Sequence, residues 1–112
     1  MQVSAKYEIW HYVLPDGRDP FQQRLDAFRD ARSYAAILRL VDRLASGNFG
    51  DHRFCRNGVW ELRVDTGRGY RIYYTVAEKT LVILLCGGGK GTQNVDIKRA
   101  VGFLRTIKQG PG

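Results

Sequence analysis

The stretch LVILLC at residues 81–86 constrains this chain more than any other feature. A strand with one wet face alternates apolar and polar residues, and a surface helix repeats its apolar residues every three or four positions. An unbroken apolar run of strand length fits neither pattern and suits a strand covered on both sides. We therefore place 81–86 at the heart of a sheet. The run leads into Gly87-Gly88-Gly89-Lys90-Gly91, which reads as a connection to a last helix from Thr92. That helix carries Ile97, Ala100, Val101 and Leu104 on one face and Lys98, Arg105 and Lys108 on another.

The remaining elements follow from turn and cap signals. Residues 7–13, YEIWHYV, are rich in aromatic and β-branched side chains and stop at Pro15-Asp16-Gly17, so they predict a first strand. Asp19 is placed to cap a helix with Pro20 in its first turn, and Phe21, Leu25 and Phe28 fall on one face of it. Ser33 is the expected cap of a second helix, with Ile37, Leu40, Val41 and Leu44 as its apolar stripe and Gly47 as its stop. Together these helices predict a helical hairpin. Residues 51–55 suit a short strand, and Asn57-Gly58 is a strong hairpin turn. Val59 to Thr66 and Tyr70 to Val76 then form two strands around Gly67-Arg68-Gly69. A three-residue loop there needs positive φ at Gly69 and sets Thr66 opposite Tyr70.

The expected fold is α+β, with a small, mainly antiparallel sheet, an N-terminal helical hairpin and a C-terminal helix. Helices should cover one face of the sheet and leave the other partly open. Residues 1–109 read as a single domain, with 110–112 as a disordered tail.

The open face is expected to hold the chemistry. In ELRVDTGRGYRIYY, 61–74, the assumed register puts Glu61, Arg63, Asp65, Arg71 and Tyr73 on one side. Ordinary cross-strand pairs account for Asp65 with Arg71 and Arg63 with Tyr73. They leave Glu61 without a partner and do not explain the nearby Arg53, Arg56 and Arg68. The net charge is +7, and thirteen of the eighteen cationic residues are arginine, whose planar fork suits phosphate. That excess points to a polyanion such as nucleic acid. The GGGKG segment admits two readings, a flexible connection or a backbone cradle for phosphate at a helix start. It is not a Walker A loop, because Leu84 and Gly91 stand where a glycine and a Ser or Thr are required.

Other classes find no support in the residues. Cys55 and Cys86 lack metal-ligand or disulfide spacing and read as buried free thiols, and His11 and His52 are far apart in sequence. His11 is expected to be structural, His52 to border the cleft, and Tyr73 and Trp10 to offer stacking surfaces for bases if exposed. No metal and no cofactor is called for. The first thirteen residues lack the core and cleavage site of a signal peptide, and no apolar run reaches spanning length, so a cytoplasmic protein is expected.

With the helical pair followed by RLASGNFGDHR, GVWELRVDTGRGYRIYY and LVILLCGGGKGTQNVDIKRA, the chain resembles the RelE/ParE superfamily of bacterial type II toxins. It is most similar to the HigB-like branch of addiction-module killer proteins. The resemblance covers Tyr7 to Lys108. It implies a small basic toxin neutralised by a cognate antitoxin, expected to carry a helix-turn-helix domain, and acting on the ribosome and its mRNA as a metal-independent endoribonuclease. Arg71 matches an arginine that stabilises the scissile phosphate in ribonuclease members, and Lys90 a basic residue at the strand exit. The pattern departs from RelE at Val59, Glu61, Gly91 and Ile97, of which Glu61 alone carries a group able to act as a base.

The expected catalytic set is therefore Arg71, Glu61, Arg63, Lys90 and Tyr73, with Arg53, Arg56, Arg68 and Lys98 binding RNA. Two alternatives stand beside ribonuclease action: a ParE-like poison of DNA gyrase without chemistry of its own, and a plain nucleic-acid-binding module.

Overall fold

Strand β5 runs from Leu81 to Gly89 in the computed structural model, which describes residues 6–65 and 69–110. It lies inside a five-stranded sheet of order β1-β5-β4-β3-β2, where β1 is Glu8–His11, β2 His52–Arg56, β3 Val59–Val64 and β4 Tyr70–Ala77. The helices are α1 (Pro20–Asp26), α2 (Ala31–Ala45) and α3 (Gln93–Gln109), the last entered through a 3-10 turn at Lys90–Thr92.

The expected architecture is corrected in three respects, although the fold remains α+β. The sheet is mixed, because β1 joins the edge of β5 in parallel, from Glu8 opposite Leu81 to His11 opposite Leu84. The early helices do not form a hairpin: α1 packs on β5, while α2 packs on β1 and β3. Each satisfies its apolar stripe against the sheet, which leaves little for the other helix to cover. Finally, helices cover both faces of the sheet and not one only. Phe21, Leu25, Ile37 and Leu44 bury Leu62, Ile72, Tyr74, Val82 and Leu84 on one side, and α3 buries Val59, Tyr73, Ile83, Leu85 and Cys86 on the other. The double cover is what the apolar run in β5 requires.

Local chemistry sets the boundaries. Asp19 Oδ1 accepts from the Gln22 amide at 2.9 Å, as expected for the cap of α1. The second cap is Asp30, not Ser33: its carboxylate accepts from the Arg32 amide and the Ser33 hydroxyl, both at 2.9 Å. Asn57 and Gly58 both have positive φ, 52° and 85°, the geometry of a tight hairpin turn between β2 and β3.

The β3–β4 register differs from the expected one by two residues, with Val64 opposite Tyr70 and Leu62 opposite Ile72. A shift of two keeps every side chain on its face, so the division of residues survives while the cross-strand partners change. Gly69 does have positive φ, 75°. The strand β5 also extends through Gly87-Gly88-Gly89, which belong to the sheet and not to a loop. A bulge between the pairs Tyr73–Cys86 and Tyr74–Leu84 turns Leu85 and Cys86 both toward α3. Gly87 therefore lies under the Tyr70 hydroxyl and Gly88 under the Asp96 carboxylate, where a Cβ would collide with either.

Candidate functional site

On the α3 side of the sheet, pairing lines up Arg53 of β2, Glu61 of β3 and Tyr73 of β4 in one cross-strand row. The next row sets Arg63 directly opposite Arg71. Two like charges in that position repel unless a counter-charge lies close by. Glu61, two residues along β3 from Arg63, supplies it.

The Glu61 side chain is fully buried, with 0% exposure, and its oxygens are almost wholly engaged. Arg53 Nε donates to Oε1 at 2.9 Å. Tyr73 Oη donates to Oε2 at 3.1 Å, and Gln93 Nε2, reaching across from the first turn of α3, donates to the same oxygen at 2.8 Å. Arg71 Nε stands 3.4 Å from Oε2 and Arg63 Nε 4.0 Å from Oε1. The Arg71 contact is electrostatic only, since its buried Nε–H makes no hydrogen bond among the described residues. Three guanidinium groups thus share one carboxylate, and the site keeps an excess of positive charge.

Protonation follows from these contacts. Burial pushes the Glu61 carboxyl up, but the hydrogen bonds from Arg53, Gln93 and Tyr73 with the Arg53 charge outweigh it and bring its pKa below the ordinary 4.5. Glu61 is an anion at neutral pH. Tyr73 moves the other way: burial and the Glu61 charge raise its phenol well above the ordinary tyrosine range, so it remains a donor. Half-exposed Arg53 and Arg63, at 50% and 52%, turn outward, while Arg71 is 12% exposed. A phosphate approaching this face meets cations already fixed from behind.

Of the expected site residues, Glu61, Arg63, Arg71, Tyr73 and Arg53 converge here. Lys90 does not join them. It is exposed in the 3-10 turn and lines a cavity of about 770 Å³ with Arg24, Phe28, Arg29 and Tyr70. Arg56 is exposed at the end of β2 and Lys98 on α3, neither in an ion pair among the described residues, and Arg68 lies outside the described residues. Tyr73 cannot stack on a base, because it has no exposed surface. His52 sits among the rings of Phe49 and Trp60 on the edge strand, and His11 pairs with the Asp19 cap at 2.6 Å. Cys55 is only partly buried, whereas Cys86 is fully so; both are free.

Two polar residues of α3 escaped the sequence reading. Gln93 holds Glu61, and Asp96, 5% exposed, accepts from Thr92 Oγ1 at 2.6 Å above Gly88. The spacing Thr92 to Asp96 suits a helix start, yet nothing in it signals a partner in the sheet. Among the described residues no group of His, Cys, Asp and Glu is arranged to hold a metal ion, and no helix is long and apolar enough to cross a membrane.

The family whose model this sequence matches is a RelE/toxin-like one. Residues 23–101 match the family described as Phage derived protein Gp49-like (DUF891), and the chain belongs to that family. A protein of Haemophilus influenzae, described as an uncharacterized protein, is 46% identical over 80 residues, which cover 71% of this chain and 81% of that one.

Proposed function

We propose that this protein is the toxin of a type II toxin–antitoxin pair, of the HigB-like branch, and that it inhibits translation by cleaving mRNA on the ribosome without a metal. The observation that carries this reading is the set of three guanidinium groups gathered on one buried carboxylate. Attack by a 2′-hydroxyl on the adjacent phosphate builds a dianionic phosphorane, which preorganised cations stabilise most when they need not reorganise during the reaction. Glu61, Tyr73 and Gln93 hold the arginines in place, and Arg53, Arg63 and Arg71 present the charge. Arg71, the most buried of the three, is the strongest candidate for the transition-state contact.

This geometry shifts the division of labour expected within the catalytic set. Both Glu61 oxygens already accept hydrogen bonds and its proton affinity is low, so it suits anchoring better than proton abstraction. Tyr73 donates inward to Glu61 and serves the same anchor. Lys90, Arg56, Lys98 and Arg68 take the RNA-binding part, with the ribosome supplying orientation.

An acidic antitoxin is the natural neutralising partner for such a face, and a helix-turn-helix domain on it would serve autoregulation. Coexpression with the adjacent gene product tests this: copurification at moderate salt with loss of toxicity is expected, and failure to copurify counts against it.

The test of cleavage is Arg71→Ala, with growth arrest and primer extension on a reporter mRNA as readouts. Cleavage should fall by roughly a hundredfold or more while the fold persists, the scale of losing one such electrostatic donor. Arg71→Lys should restore part of it, since a point charge replaces a fork. Full toxicity with normal cut sites in Arg71→Ala would remove the assignment, and trapped gyrase cleavage complexes would transfer the protein to the gyrase-poison class.

A further inference from the structure

The glycines at the end of β5 and in the 3-10 turn that follows are of two kinds. Gly87 and Gly88 are glycine for packing, lying against Tyr70 and Asp96. Gly91 is different: a Cβ there would meet nothing within 4 Å, and its φ is not positive. Neither packing nor backbone conformation accounts for the missing side chain.

Gly89 and Gly91 both line the cavity of about 770 Å³ beside the end of β5, on the side of α1 and α2. Its walls bring Arg24, Arg29 and Lys90 together with the ring of Phe28, which meets Tyr70 edge-on at 5.0 Å. Arg24 Nη2 lies 3.4 Å from the position a Gly89 Cβ would take. None of the three cations forms an ion pair among the described residues. The one carboxylate of the wall, Asp30, is engaged by the Arg32 amide and the Ser33 hydroxyl. Among the described residues no side chain caps the 3-10 turn or α3 beside it.

We propose that this cavity is a binding site for a nucleotide unit, with the phosphate on Arg24, Lys90 and the side-chain-free backbone at Gly89 and Gly91, and the base against Phe28. The cations alone would accept any anion. Bare backbone allows the close approach that a phosphate with several oxygens uses, and an aromatic wall beside it offers the stacking surface a base requires. An acidic peptide would use the cations and leave the ring and the glycines without purpose. The same chemistry arises from a free nucleotide or from one residue of an RNA strand. The site shares Lys90 with the RNA-binding set of the proposed function but none of the residues gathered on Glu61, so its occupancy is read without cleavage.

The experiment titrates the full chain, by calorimetry and amide NMR shifts, with adenosine and guanosine monophosphates, their nucleosides, inorganic phosphate, hexaglutamate and a short 2′-O-methyl RNA that cannot be cut. Arg24→Ala, Arg29→Ala and Gly91→Leu are run in parallel; all three positions are exposed and outside the arginine cluster. A monophosphate should bind about tenfold or more tightly than its nucleoside or phosphate alone. Arg24→Ala should weaken it by about tenfold, and Gly91→Leu should block it. Tighter binding of the oligonucleotide with the same losses assigns an RNA residue; monomer binding as tight as the oligonucleotide assigns a free nucleotide. Nucleotide probes that do not bind, or bind equally to Arg24→Ala and Gly91→Leu, overturn the proposal, as does hexaglutamate binding more tightly than the monophosphates and losing affinity in those variants.

Discussion

Along β4, Tyr70, Ile72 and Tyr74 turn toward α1 and α2, while Arg71, Tyr73 and Thr75 turn toward α3. The first set enters a core of aliphatic and aromatic side chains in which the Tyr70 and Tyr74 hydroxyls find no partner among the described residues. The second enters a layer where Tyr73 donates to Glu61 and Thr75 donates to the Gly58 carbonyl at 2.8 Å. Neighbouring residues of one strand thus meet opposite solutions to burial. On the α1/α2 face polar atoms are tolerated at the tips of rings; on the α3 face they are paired around an anion, and that pairing leaves cations pointing at solvent. The contrast suggests that stability resides mainly in the first face and that the second accepts a polar interior in exchange for a charged surface.

The largest expected effect breaks that pairing. Glu61→Ala would leave Arg71 nearly buried without a counter-charge and strand the Tyr73 and Gln93 donors. Removing one member of a buried ionic network costs about 3–5 kcal/mol, and rehydration of half-exposed Arg53 and Arg63 places this case near the lower end. A fall in Tm of about 10 °C or more is expected. Glu61→Leu should behave similarly, and an unchanged melt would show that the arginines do not depend on the carboxylate.

Next come the close approaches at the end of β5. Gly87→Ala forces a methyl against the Tyr70 hydroxyl and Gly88→Ala against the Asp96 carboxylate. Overpacking of this kind costs about 1–3 kcal/mol. The two should differ, since Tyr70 is locked in an apolar core whereas Asp96 belongs to a helix start that can lift. Gly87→Ala should therefore be the more damaging by denaturant midpoint, and the reverse order would place the rigid face on the α3 side.

Acid sharpens the comparison further. The folded state holds the Glu61 pKa below its ordinary 4.5, so its contribution is complete above that value and is lost as pH falls through the folded pKa. Stability should decline on acidification below about pH 4.5. Glu61→Gln should flatten that limb, and a limb of unchanged steepness would assign the acid sensitivity to other carboxylates.

How far the sequence reached can be judged from β3 to β5. The alternation of ELRV and YRIYY was enough to divide Glu61, Arg63, Arg71 and Tyr73 from Leu62, Ile72 and Tyr74, because alternation depends on the strand alone. The cross-strand partners depended on a loop whose length is not encoded in that alternation, and a shift of two residues moved Arg71 from Asp65 to Arg63. The helical pair was read from correct apolar stripes, but a stripe does not say whether it meets another helix or the sheet. In the GGGKG stretch, glycine carried no sign of whether it served a loop, a close approach in a strand or a ligand. Gln93 stayed hidden because the carboxylate it holds is 32 residues away.

The smallest expected effect is also the most direct test of the two faces, because it removes one oxygen at a time from three tyrosines of one strand. Tyr73→Phe withdraws a donor from Glu61 and should cost about 1 kcal/mol, the net value of an ordinary buried hydrogen bond, with the remaining donors limiting the loss. Tyr74→Phe withdraws a hydroxyl whose oxygen is buried and unpartnered, and whose pKa burial raises to about 12. Nothing is lost with it except a desolvated dipole, so its effect should be neutral or stabilising by a few tenths of a kcal/mol. Tyr70→Phe should follow Tyr74, its hydroxyl being equally buried. Chemical denaturation of the three variants under one condition reads the order. Tyr73→Phe at least as stable as the wild type, with Tyr74→Phe clearly weaker, would mean that the polar layer under α3 contributes no cohesion and that the cations there are held by the fold around them instead of by Glu61.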